Sequence, residues 1–356
     1  IPIALAGGAT GAIGDPSGKS AERNLLTRET LQQNITAVKE QLAKLLDFET
    51  TTNPAQLLDN ADWMAGVSYL DFLRDIGKHF TVNSMVAKES VRARMQDREV
   101  GISYTEFSYM LLQAFDFYHL KETHDCELQI GGSDQWGNIV SGIDLIRRHT
   151  GESAFAFTMP LVTKADGTKF GKSAAGAVWI DPKKTSPYAF YQFWLNTADA
   201  DVVSFLKLFT FLAQDEIESL EVEIQDRPEL RQAHKKLAQE VTTIVHGEQA
   251  VVAAERISAA LFAGDAGQLL ESDLQELQQD GMPCTSCAAG TGLLTAMVEA
   301  GLTKSTGEAR KLIQANGIKL NGDSIDDVGR DLTFEDALFK RFYLLRKGKK
   351  NYHLIA

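Results

Sequence analysis

Apolar residues recur with two periods along this chain, and the places where the period switches mark its elements. Pro2-Ile3-Ala4-Leu5-Ala6 is an unbroken apolar run, as in parallel strands covered on both faces. From 27 to about 48, Leu31, Ile35, Val38, Leu42, Leu45 and Leu46 fall at helical spacing. Further helices are predicted around 63–76, over 88–98 and from 105 to about 117. The next strand reads 122–130, then a helix over 139–148 and a strand over 157–163. Past Pro187 strand patterns stop, and 189–195, 200–212, 217–220 and 231–262 all read as helices. Residues 281–290 read as a linker. Two short helices follow, 292–300 and 305–315, the second opened by Ser305 with Glu308 three residues on. Alternation over 318–325 around Asn321-Gly322 predicts a hairpin, and 341–346 with 351–355 predicts another.

This order predicts an α/β domain over 1–160, a loop and connection over 161–186 and an all-α domain over 187–280. A small α+β unit over 291–356 follows the linker. No apolar run approaches the roughly 20 residues that span a bilayer, and no secretory signal is visible, so a cytoplasmic protein without membrane contact is expected. The net charge of −12 argues against non-specific nucleic-acid binding by the chain as a whole. Yet Lys304, Arg310, Lys311, Lys340, Arg341, Arg346, Lys347, Lys349 and Lys350 gather in the last unit, which suggests an RNA-facing module. Cys284 and Cys287 are half of a zinc site without a second pair, so no bound metal is expected.

The chemistry concentrates in four stretches. Leu128-Gln129-Ile130-Gly131-Gly132-Ser133-Asp134-Gln135-Trp136-Gly137-Asn138 reads as a parallel strand reaching the carboxyl edge of an open sheet, where ligands bind. Gly131 and Gly132 would admit a flat ligand, with Gln129, Asp134 and Gln135 beside it; the alternative is a turn with Ser133 or Asp134 as helix cap. The glycine-rich stretch 7–20 misses the phosphate-loop spacing by one residue at Ile13, although its amides, Lys19 and Arg23 still suit an anion. On the helix after residue 105, Tyr109, Gln113 and Asp116 share one face, either lining a pocket or facing solvent. Finally, Lys169 and Lys172 lie in a glycine-rich loop over 164–176 that could close over a polyphosphate or be a solvated turn.

With these residues in view, the chain resembles the bacterial-type tyrosyl-tRNA synthetases over almost its full length. The resemblance rests on 7–17, on Phe72-Leu-Arg-Asp-Ile-Gly-Lys-His-Phe80, on 129–138 and on 164–173. Lys169-Phe170-Gly171-Lys172-Ser173 is similar to the KMSKS signature of class I synthetases, and the last 65 or so residues resemble an RNA-binding domain shared with a ribosomal protein. The resemblance implies a Rossmann-like catalytic domain acting on L-tyrosine, ATP with Mg2+, and tRNA(Tyr), in a homodimer. It also implies that Asp15, Tyr109 and Gln113 hold the tyrosine ammonium and that Asp116 accepts the phenol. Gly132 and Asp134 would meet the ribose, Gln129 and Gln135 the substrate carboxylate, and Leu161 and Val162 the adenine. Lys172, Lys169 and Ser173, with Lys19 and Arg23, would stabilise the departing pyrophosphate. The family's first strand and its HIGH signature should precede what is here Pro2, so several dozen upstream residues are expected. Two rivals stay open: a tryptophan-specific relative, and a catalytically silent tRNA-binding homologue.

Overall fold

The computed structural model describes residues 1–17, 26–96, 101–168, 170–173, 176–288, 290–348 and 351–356, with Lys172 and Ser173 described by backbone alone. The chain divides into two units, Ile1–Thr163 and Lys164–Ala356.

In the first unit, strand β1 (Ile3–Ala6) is followed by a glycine-rich turn, and helix α1 (Arg28–Leu45) has its first turn capped by the Thr27 side chain accepting from the Thr30 amide. Strand β2 (Gln56–Asp59) returns parallel to β1, with Ile3 opposite Gln56 and Ala6 opposite Asp59. The predicted pattern misses β2, because only Leu57 and Leu58 in it are apolar. The helix expected around 63–76 is two, α2 (Ala61–Met64) and α3 (Tyr69–Asp75), separated by a turn at Gly66. Short helices α4 (Val82–Val86) and α5 (Glu89–Gln96) follow.

Helix α6 (Tyr104–His124) runs through the start of the strand expected from residue 122. It ends at Asp125, whose φ of 50° is a left-handed conformation that short polar side chains tolerate. Lys121 holds that end by donating to Asp125 at 2.8 Å. Strand β3 (Leu128–Gly132) then leads into α7 (Trp136–Thr150) and a parallel partner, β4 (Phe155–Met159), two residues earlier than expected. Helices α6 and α7 pack closely because Gly142 carries no Cβ; one there would lie 2.9 Å from Cδ1 of the buried Phe117. The two parallel strand pairs are separate ladders among the described residues, not one continuous sheet.

The second unit opens with the antiparallel pair β5 (Lys172–Ser173) and β6 (Gly176–Ala177). Helices α8 (Pro187–Leu195), α9 (Asp199–Phe209) and α10 (Gln214–Asp226) follow. The long helix expected over 231–262 is broken by Gly247, at φ 84°, into α11 (Gln232–His246) and α12 (Glu248–Ala263). After α13 (Glu271–Glu276), the expected linker instead contains strand β7 (Cys284–Thr285). Helices α14 (Leu293–Glu299) and α15 (Thr306–Gln314) precede strands β8 (Ile318–Leu320) and β9 (Asp323–Ser324), then β10 (Tyr343–Lys347) and β11 (Asn351–Ile355). These form one sheet in the order β7-β11-β10-β8-β9, with β7 parallel to β11, so residues 284–285 belong to the last sheet. Both predicted hairpins and the Ser305 cap are present.

Candidate active site

Three elements of the first unit converge on the loop after β1. The loop folds into a 3-10 turn over Thr10–Ala12, with the Gly11 amide on the Gly7 carbonyl at 2.8 Å. The end of β2 pins it: the Gly8 amide donates to Asp59 Oδ1 at 3.0 Å and the Ala9 amide to Asn60 Oδ1 at 2.8 Å. A Cβ on Gly8 would fall 2.1 Å from Asp59 Oδ1, so glycine alone permits this approach.

Asn60, 1% exposed, links this loop to the helix behind it. Its Nδ2 donates to Thr10 Oγ1 at 2.8 Å and to Asp116 Oδ2 at 2.9 Å. The indole of Trp63, stacked on His119 with ring centres 4.5 Å apart, donates to Asp116 Oδ1 at 2.9 Å. Asp116 is 2% exposed, and burial pushes its carboxyl up to about 6 while the bonds from Asn60 and Trp63 pull the other way. A carboxylate offers about four lone-pair positions, so two such bonds leave room for a further donor. Tyr109 and Gln113 lie half-buried on the same face of α6, two turns and one turn before it, so the stripe does not simply face solvent.

The other end of the loop meets β3 and α7. Gln135 Nε2 donates to Asp15 Oδ2 at 2.7 Å, and Asn138 Nδ2 lies 3.4 Å from Asp15 Oδ1 and 3.3 Å from Ser17 Oγ. The Ser17 amide donates to Asp15 Oδ1 at 2.9 Å, which orients the carboxylate. Neither Ser133 nor Asp134 caps α7: Gln135 occupies the cap position and makes no side-chain cap bond. The room at the two glycines is used first by the chain itself, since a Cβ on Gly131 would meet Gln135 and Ile139 at 3.2 Å. One on Gly132 would meet Asp134 Oδ1 at 2.6 Å and Leu161 Cδ2 at 3.2 Å. Leu161, expected at the adenine, therefore packs against Gly132, expected at the ribose. Gln129 Oε1 is buried and has no hydrogen-bond partner among the described residues.

The structure thus brings together Asp15, Gln135, Asp134, Gly132 and Leu161 in one group, and Asp116 with Asn60 and Trp63 in another, joined by the loop. Lys19, Arg23 and Lys169 lie outside the described residues, and Lys172 and Ser173 appear as the backbone of β5 in the second unit. Phe170 of that loop is anchored among Phe193, Trp194, Phe205 and Phe209, with ring centres 5.0–5.8 Å away. Asn60 and Trp63 escape sequence reasoning, while Ser17 and Asn138 lie in the stretches it singled out but were given no role there. The only signal was an Asp-Asn pair closing the short apolar run at Leu57-Leu58.

The chain matches the family model described as tRNA synthetases class I (W and Y) over residues 1–263, and that of the Tyrosine--tRNA ligase SYY-like C-terminal domain over 273–355. It belongs to the class I tRNA synthetases of the tryptophan and tyrosine group. Within that group it is 53% identical over 355 residues to the tyrosine--tRNA ligase of Salmonella arizonae, covering 100% of this chain and 83% of that one. It is also 53% identical to the tyrosine--tRNA ligase of Geobacillus kaustophilus, over 99% of this chain and 84% of the relative. Among solved structures it is similar to the C-terminally truncated mitochondrial tyrosyl-tRNA synthetase of Aspergillus nidulans: TM-score 0.65, 30% identity, 73% of this chain and 77% of that one.

Proposed function

We propose that the chain carries the tyrosine-activating and tRNA-charging machinery of a tyrosine--tRNA ligase. The tyrosine carboxylate attacks the α-phosphorus of ATP, the bond to the β-phosphate breaks, and pyrophosphate leaves. A ribose hydroxyl at the tRNA 3′ end then attacks the tyrosyl carbonyl and AMP departs. No protein nucleophile is required; the work is positioning and charge stabilisation. The observation that carries the choice of tyrosine is Asp116, a buried carboxylate held by two side-chain donors with acceptor capacity left over. A phenol satisfies that acceptor, phenylalanine leaves it unpaired, and an indole presents its donor from a different place. Amino-acid-dependent ATP–pyrophosphate exchange tests the reading: tyrosine alone should support exchange. Exchange driven by tryptophan, or by no amino acid, would reject it.

In this reading Asp15, with Tyr109 and Gln113, receives the ammonium group, and Gln135 and Gln129 flank the carboxylate. Gly132 and Asp134 meet the ribose while Leu161 and Val162 border the adenine. Lys172, Lys169, Ser173, Lys19 and Arg23 neutralise the departing pyrophosphate, and Mg2+ arrives with the ATP. No described helix is long and apolar enough to cross a membrane. Cys126, Cys284 and Cys287 are free thiols, in keeping with a cytoplasmic enzyme. The proposed domain limits follow the change from strand-bearing to helical sequence near 160–187, and the last unit takes in strand β7 at Cys284–Thr285. A homodimer is supported by an exposed apolar patch on the first unit, where Tyr69, Leu70 and Tyr104 are 61%, 75% and 64% exposed. The hydroxyls of Tyr69 and Tyr104 are 3.1 Å apart, and the two side chains border an apolar cavity of about 330 Å³ with Phe72 and Leu73.

A further inference from the structure

The last unit contains two tight turns with positive φ at two adjacent residues, a two-residue loop between Leu320 and Asp323 and a three-residue loop between Leu338 and Phe342, built from very different residues. Between β8 and β9 the turn residues are Asn321 and Gly322, at φ 52° and 100°. This is the pair best suited to a turn that needs positive φ at both central positions. The second turn lies ahead of β10. Leu338 and Phe342 exchange backbone bonds at 2.7 and 2.9 Å, and the Arg341 amide donates to the Leu338 carbonyl at 3.1 Å. Its central residues are Phe339 and Lys340, at φ 53° and 59°. Among the described residues they are the one adjacent pair of non-glycine residues in that region, and a bulky aromatic there is a backbone outlier. Phe339 is 47% exposed, whereas Phe342 is buried. Lys340 and Arg341 are exposed beside it, and Arg341 is held in place by donating to Gln278 Oε1 at 3.0 Å with its guanidinium 4.8 Å over the Phe342 ring. Asn-Gly would relax this strained turn, and what the turn displays is an aromatic face flanked by two cations.

We propose that Phe339 is a stacking platform for an unpaired base of the bound tRNA, with Lys340 and Arg341 taking the adjoining phosphates. The proposal rests on the reading that this chain charges tRNA. Aromatic rings bordered by cations are how proteins hold unstacked RNA bases, because every base has a π-face and every nucleotide a phosphate. Charge favours this partner over a protein surface, since the tip carries two positive charges on a chain whose net charge is −12.

The test uses the full chain with four variants: Phe339→Ala, Phe339→Trp, Lys340→Gly, and the double change of Phe339→Asn with Lys340→Gly. The double variant relaxes the turn, so it should melt at the same temperature or higher while its affinity for tRNA falls roughly tenfold or more. Phe339→Ala should lose a similar factor at low and at high salt, as expected for stacking, and Phe339→Trp should keep the affinity. Lys340→Gly alone should instead flatten the fall of log K with log salt by roughly 0.7 to 0.9, one phosphate contact. Unchanged tRNA affinity in the double variant would overturn the proposal. So would a Phe339→Ala variant that binds tRNA normally but changes its sedimentation, because the ring would then pack against protein. Tyrosine-dependent pyrophosphate exchange is measured alongside; its absence from the unaltered chain would reject tyrosine activation itself, a result separable from any change in tRNA affinity.

Discussion

Asn60 shows how much of the site depends on a single side chain. It satisfies the Ala9 amide, Thr10 and Asp116 at once, so Asn60→Ala leaves three polar groups short of a partner in a buried place. The expected cost is about 2 kcal/mol or more in denaturant unfolding, together with weaker tyrosine binding; an unchanged unfolding midpoint would mean the network is dispensable. Asp116 adds a pH dependence. Burial raises its folded carboxyl from the ordinary 3.8 to about 6. A raised folded value contributes stability that is fully present below the unfolded value and lost as pH rises through the folded one. The ionised form, the better acceptor for a phenol, is populated on the other side. kcat/KM for tyrosine in pyrophosphate exchange should therefore fall as pH drops through about 6, while stability gains the contribution over the same interval. A kcat/KM profile flat from pH 5 to 7.5 would remove Asp116 from tyrosine recognition.

At the scale of elements, the lysine loop of the second unit hangs from Phe170, whose ring sits among four others. Phe170→Ala should release that anchor, lowering kcat for adenylate formation at least tenfold while changing KM for tyrosine little, and Phe170→Met should restore most of it. Equal effects on kcat and KM, or none, would show that the anchor does not set the loop. Elements with a long period were legible beforehand: α1, α7 and the hairpin at Asn321-Gly322 follow directly from spacing and turn chemistry. Those that escaped did so for local reasons. Strand β2 has too few apolar residues to declare itself, and α6 outruns its pattern because Lys121 and a left-handed Asp125 decide where it stops. Strand β7 hides in a segment rich in turn residues. Asp15, Asp116 and Gln135 were visible because they sit in motifs. Asn138 sat in a motif without a role, and Asn60 was not visible, because a hydrogen bond between residues 56 positions apart leaves no periodic trace; the same holds for Trp63, 53 positions from Asp116.

For the whole molecule, the proposed homodimer would bury the exposed patch at Tyr69, Leu70 and Tyr104. Leu70→Asp should shift sedimentation toward the monomer; a variant that stays dimeric would place the interface elsewhere. The central claim, however, is that this chain selects tyrosine through Asp116. The most direct measurement is the ratio of kcat/KM for tyrosine and phenylalanine in pyrophosphate exchange, before and after Asp116→Ala. Sites built to hydrogen-bond a substrate hydroxyl reject the analogue lacking it by roughly 10^4- to 10^5-fold, tyrosine against phenylalanine in a tyrosyl-tRNA synthetase being itself the standing example. Removing the carboxylate should lower that ratio by about 100-fold, chiefly through loss of activity with tyrosine. A ratio that survives Asp116→Ala unchanged would contradict the account.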